Sequence, residues 1–136
     1  MIRPIVHDTF FLSRKSAEAG RQDLPIAQDL RDTLEANRDG CVGLAANMIG
    51  YRKRIIIVSL GVFDLVMFNP VITEREGPYE TQEGCLSLEG MRKTTRYKTV
   101  TVRYQDEELR PVLQIYSGFV AQIIQHECDR LDGILI

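Results

Sequence analysis

The 136 residues suit one domain, and 44% hydrophobic with 26% charged residues is globular rather than disordered composition. A net charge of −2, from 17 basic and 19 acidic residues mixed along the chain, argues against nucleic-acid binding through bulk electrostatics. No apolar run approaches the roughly 20 residues that a membrane-spanning helix needs.

Met1-Ile2-Arg3-Pro4 has no apolar core or cleavage site of a signal peptide, so the expected location is the cytoplasm. The first helix is expected from Leu24 or Pro25 to about Arg38, with Ile26, Leu30 and Leu34 as its apolar stripe and Gly40 as its stop. A stretch rich in small residues follows, Gly40 to Gly50, of the kind that lets backbones approach closely. Arg54–Ser59, Phe63–Asn69, Val71–Glu76, Tyr97–Tyr104 and Arg110–Tyr116 read as strands, with a turn at Glu107-Glu108. A last helix is expected over Ser117–Arg130, with Ser117 as N-cap and Phe119, Ile123, His126 and Arg130 on one face. Strands followed by a terminal helix predict a single α+β domain over residues 1–136, antiparallel sheet around that helix with an N-terminal helix besides. Two basic clusters, Arg52-Lys53-Arg54 and Arg92-Lys93-Thr94-Thr95-Arg96, read as solvated strand ends, with a weak RNA or ribosome contact as the other reading.

Cys41, Cys85 and Cys128 are odd in number and form no CxxC pair, which disfavours a disulfide framework. Three segments draw attention. Gln125-His126-Glu127-Cys128-Asp129-Arg130 is close to the metal-binding helix pattern HExxH, but its fifth position is arginine. Read alone, it is more simply a packed histidine beside a surface glutamate. Glu83-Gly84-Cys85-Leu86-Ser87 places a thiol among small residues, where a buried cysteine is the ordinary outcome. Cys41-Val42-Gly43-Leu44-Ala45-Ala46-Asn47-Met48-Ile49-Gly50 says little alone and is no phosphate-binding fingerprint. A metal-free hydrolase with Cys85 as nucleophile and His126 as base is a further reading of the same residues.

In order and spacing, the three segments resemble the motifs of the peptide deformylase family: a GxGLAAxQ loop, an EGCLS segment and a QHExDHLDG helix. The likeness runs from Ile2-Arg3-Pro4-Ile5-Val6 to Asp132-Gly133-Ile134-Leu135. It implies metal-dependent removal of the formyl group from N-formylmethionine at the start of new polypeptides, with the N-terminus of a nascent chain as partner. It implies Fe²⁺, or else Zn²⁺ or Ni²⁺, with Cys85 and His126 as ligands and Glu127 as general base. By the same resemblance, the Leu86 N–H donates to the oxyanion together with a loop glutamine. Val42, Gly43 and Leu44 pair with the substrate backbone, and Phe119 and Ile123 line the methionine pocket.

Three positions depart from the pattern. Arg130 stands where the third metal ligand belongs, Met48 where the oxyanion glutamine belongs, and Cys41 replaces the first loop glycine. Guanidinium offers a metal no lone pair. Its charge would repel each unit of charge on a cation ~4 Å away by roughly 4 kcal/mol at an effective dielectric near 20. A thioether cannot donate to an oxyanion, and losing one such donor costs about 10²–10³ in rate. These departures predict weak or lost turnover, with the peptide groove kept, and a chain that binds metal poorly or not at all. A working deformylase with an unusual metal site is the alternative. Arg130 is expected to turn aside and pair with Glu83 or Glu127.

Overall fold

A computed structural model describes all residues, Met1–Ile136. Three helices, α1 (Thr9–Leu12), α2 (Leu24–Ala36) and α3 (Gly118–Leu131), accompany five strands: β1 (Gly43–Ala45), β2 (Ile55–Ser59), β3 (Asp64–Glu83), β4 (Arg92–Gln105) and β5 (Pro111–Ser117). The strands form one sheet in chain order, every neighbouring pair antiparallel. The expected α+β class and terminal helix hold.

Ile55, Ile56, Ile57 and Val58 are all fully buried, so both faces of β2 are covered, and α2 and α3 both pack against this strand. Leu30 and Leu34 of α2 and Ala121, Ile124 and Leu131 of α3 belong to the core that results. Helix α2 ends at Ala36, two residues short of expectation, and a single 3-10 turn over Arg38–Gly40 follows it. Ser117 occupies the N-cap position of α3 but makes no capping bond; its hydroxyl meets that of Thr99 at 3.1 Å.

The two strands expected at Phe63–Asn69 and Val71–Glu76 are one strand of 20 residues, running through Asn69-Pro70 with register shifts around them. Asn69 takes a φ of 53° there, and its side chain compensates: Nδ2 donates to the Ala19 carbonyl and to Gln105, and Oδ1 accepts the Ala19 N–H. Beyond Phe68, β3 pairs only with β4, so Pro78 lies on a strand with one open edge, where proline is tolerated. The far end of this ribbon, Glu83 opposite Arg92, holds the loop that carries Cys85.

Candidate active site

The three segments singled out in the sequence meet at one cavity of about 260 Å³. Cys41, Val42, Gly43 and Met48 line it from the first loop, Glu83, Cys85 and Leu86 from the end of β3, and Phe119, Gln122, Ile123, His126 and Glu127 from α3. Spacings of four and three along α3 put Phe119, Ile123 and His126 on one helix face, which is why they enter together. Leu44 does not line the cavity: its side chain is fully buried in the core, while its backbone lies on the edge strand β1. Gly43 has no room for a side chain. A Cβ there would stand 2.6 Å from Ile123 Cγ2, 3.1 Å from the Ile57 carbonyl oxygen and 3.2 Å from Glu127 Oε2. The glycine thus lets β1 lie directly against the face of α3 that carries the site.

His126 is oriented by Glu83, whose Oε1 lies 2.7 Å from His126 Nδ1. Gln122 donates to Glu83 Oε2 at 2.9 Å, and Arg96 donates to both carboxylate oxygens at 2.8–3.2 Å. Arg96 also reaches Asp129 at 2.7 Å. Burial pushes the Glu83 carboxyl up, but His126, Arg96 and Gln122 outweigh it and lower it to about 2. Burial likewise disfavours charge on His126, yet the neighbouring Cys85 thiol and the hydrogen bond to Glu83 raise it to about 10. With Nδ1 engaged by Glu83, the other ring nitrogen is the one left to face Cys85 and the cavity.

Glu127 is buried, not the surface residue that the plain reading of the helix suggests, and its Oε1 has no hydrogen-bond partner. Burial raises its carboxyl above the usual range, against the pull of His126 and Arg130. Met48 lines the cavity with a thioether whose sulfur accepts the Ala45 N–H at 3.4 Å, so it offers acceptor character where the family pattern has a donor. The Leu86 N–H donates to no group of the protein. Burial pushes the Cys41 thiol up to about 11, and its sulfur donates to the Gly43 carbonyl at 3.1 Å.

Arg130 is fully buried and does not line the cavity. It turns aside as expected, though to neither carboxylate that the sequence suggested. Glu83 is already taken by Arg96 and His126, and Arg130 Nη2 donates instead to the Ile136 carbonyl oxygen. Its Nε and Nη1 have no partner. No group of three His, Cys, Asp or Glu side chains stands close enough to hold a metal ion. Glu83 was visible in the sequence as part of its segment; its role on His126 was not, and Arg96 and Gln122 carried no signal.

The sequence profile of the polypeptide deformylase family matches residues 5–136. A peptide deformylase of Clostridium beijerinckii is 54% identical over 136 residues, all of both chains. The crystal structure of peptide deformylase from Thermus thermophilus superposes with a TM-score of 0.88 at 36% identity, covering 99% of this chain and 83% of that one. A class I type b peptide deformylase from Acinetobacter baumannii, bound to Met-Ala-Ser, gives 0.89 at 30% identity, covering 99% and 97%. Motifs, fold and relatives agree, and the chain belongs to the polypeptide deformylase family.

Proposed function

We propose that this protein binds the N-terminal end of methionyl or formylmethionyl peptides in the cavity between β1 and α3, with deformylase turnover weak or lost. One observation carries this reading: all three motifs converge on the cavity while Arg130, in the third ligand position, is turned away from it. The family reaction depends on a metal. Cys85 and His126 are chemically suited to hold Fe²⁺, Zn²⁺ or Ni²⁺, but two donors fall short of the three protein ligands that an open catalytic site uses. The residues present therefore do not make a complete metal site.

What remains suits peptide binding. The β1 edge around Val42 and Gly43 is open to an added strand, and Phe119 and Ile123 offer apolar surface to a methionine side chain. The unpaired Leu86 N–H is free to donate to a formyl oxygen, and Glu127 is a buried carboxylate able to hold a proton. The Acinetobacter relative was crystallised with Met-Ala-Ser, which supports the same class of ligand here.

A second reading, a working deformylase whose metal site is completed by another donor, is favoured by the full-length identity to the Clostridium protein. Metal content after anaerobic purification, measured beside turnover of formyl-Met-Ala-Ser, separates the two. The expected result is substoichiometric metal and little turnover in the natural sequence, with both raised in Arg130→His. Near-stoichiometric metal and ready turnover without the substitution establish the second reading instead.

A further inference from the structure

A second cavity, of about 740 Å³, shares no residue with the first. It opens between the N-terminal segment, the start of α2 and the Gly50–Lys53 turn. Arg3, Lys15, Arg52 and Lys53 line it. The chain brings them together through a parallel bridge between Ala17 and Lys53, in which the Ala17 N–H donates to the Arg52 carbonyl at 3.0 Å and the Arg54 N–H to Ala17 at 2.8 Å. Two short basic runs, Arg14-Lys15 and Arg52-Lys53-Arg54, thus become neighbours on one face.

Aromatic rings interleave with these cations. Arg3 lies over Tyr51 at 5.7 Å, Arg14 over Phe10 at 5.8 Å and Arg52 over Phe11 at 6.0 Å. All the cation–π pairs of the molecule fall on this one face, and Phe10 is 71% exposed. The carboxylates nearby are largely engaged. Asp29 accepts from Arg3, the Met1 amine and Tyr51, Asp32 pairs with that amine, and Asp23 takes Gly20 N–H and Lys53. Asp8 accepts from the Phe10 N–H, and Glu18, next to the bridging Ala17, is exposed. Arg14, Lys15 and Arg52 have no ion-pair partner.

We infer that this face is a binding surface for single-stranded nucleic acid. Unpaired cations beside a groove suit a phosphodiester backbone, and exposed aromatic and guanidinium planes suit unstacked bases. The mixed composition of the whole chain hides Arg14, Lys15 and Arg52, the cations of this face that no carboxylate pairs with. The inference does not rest on the deformylase reading.

Fluorescence anisotropy of the full chain with labelled oligo-uridine and oligo-thymidine, about twelve nucleotides long, tests it across a salt series. Binding is expected to weaken with salt, and the slope of log affinity on log salt to shrink by about 0.7 for each of Lys15→Glu and Arg52→Glu. Phe10→Ala should weaken binding about tenfold at fixed salt, because it removes a stacking plane. A preference for uridine points to RNA, and equal binding to recognition of backbone and bases alone; both support the surface. Four results overturn it: no binding at low salt, equal affinity for duplex, an equal loss from Arg75→Glu on the distant β3–β4 ribbon, or binding to anionic lipid vesicles in place of the oligonucleotides. Circular dichroism of each variant excludes unfolding as the cause of any loss.

Discussion

Arg96 decides more about this site than its place outside every motif suggests. It is 4% exposed and neutralises two carboxylates, Glu83 and Asp129, on opposite sides of its guanidinium. Removing one partner of a buried ion pair leaves the other charge uncompensated, which costs far more than the net worth of the intact pair. Arg96→Met should therefore destabilise the fold by about 3–5 kcal/mol, measured by urea denaturation. It should also free Glu83 to rotate away from His126. Arg130 poses the reverse problem. Two of its nitrogens are buried without acceptors, and leaving such donors unpaired costs about 1–3 kcal/mol each. The substitution Arg130→His is thus expected to keep the fold intact while altering the cavity.

Among the elements, β1 is short but tightly constrained. A methyl group at Gly43 would meet Ile123, Ile57 and Glu127 at once, so Gly43→Ala must push α3 and β1 apart. A loss of about 1–3 kcal/mol in thermal or urea unfolding is expected, accompanied by weaker peptide binding. Unchanged stability and binding would show that the close approach relaxes freely. The helices α2 and α3 were legible in the sequence because their apolar residues recur at helical spacing, and β2 because four β-branched residues adjoin. The length of β3 was not legible. Asn69-Pro70 and Glu76-Gly77-Pro78 carry turn chemistry, and only the pairing with β4 and the Asn69 side-chain bonds override it. The site was legible as residue types in motif order. Its electrostatics were not, because Arg96, Gln122 and the Ile136 carbonyl act through contacts that no local pattern encodes.

At the scale of the whole molecule, the N-terminal segment is tied to the body at separated points. Val6 N–H donates to the Met48 carbonyl at 2.8 Å, Arg3 N–H to the Thr33 hydroxyl at 2.9 Å, and the Arg3 guanidinium to Asp29 at 3.0 Å. Burial pushes the Asp29 carboxyl up, but the Met1 amine, Arg3 and Tyr51 outweigh it and hold it below its usual 3.8. A depressed folded value means that this tie is at full strength above pH 3.8 and is lost as the pH falls below it. The protection of the first eight residues against hydrogen exchange should fall over that acid range, and Asp29→Asn should show the lower protection already at neutral pH. Helix α3 follows the entire sheet in chain order, yet it packs on β1, β2, β3, β4 and β5. During synthesis, the strands are therefore made before the helix that seals them, and the apolar faces of β1 and β2 stay uncovered until α3 emerges. Since His126 and Glu127 ride on that same helix, the cavity and the hydrophobic seal come into being in a single late step, and a nascent chain stalled before it would be a client for chaperones.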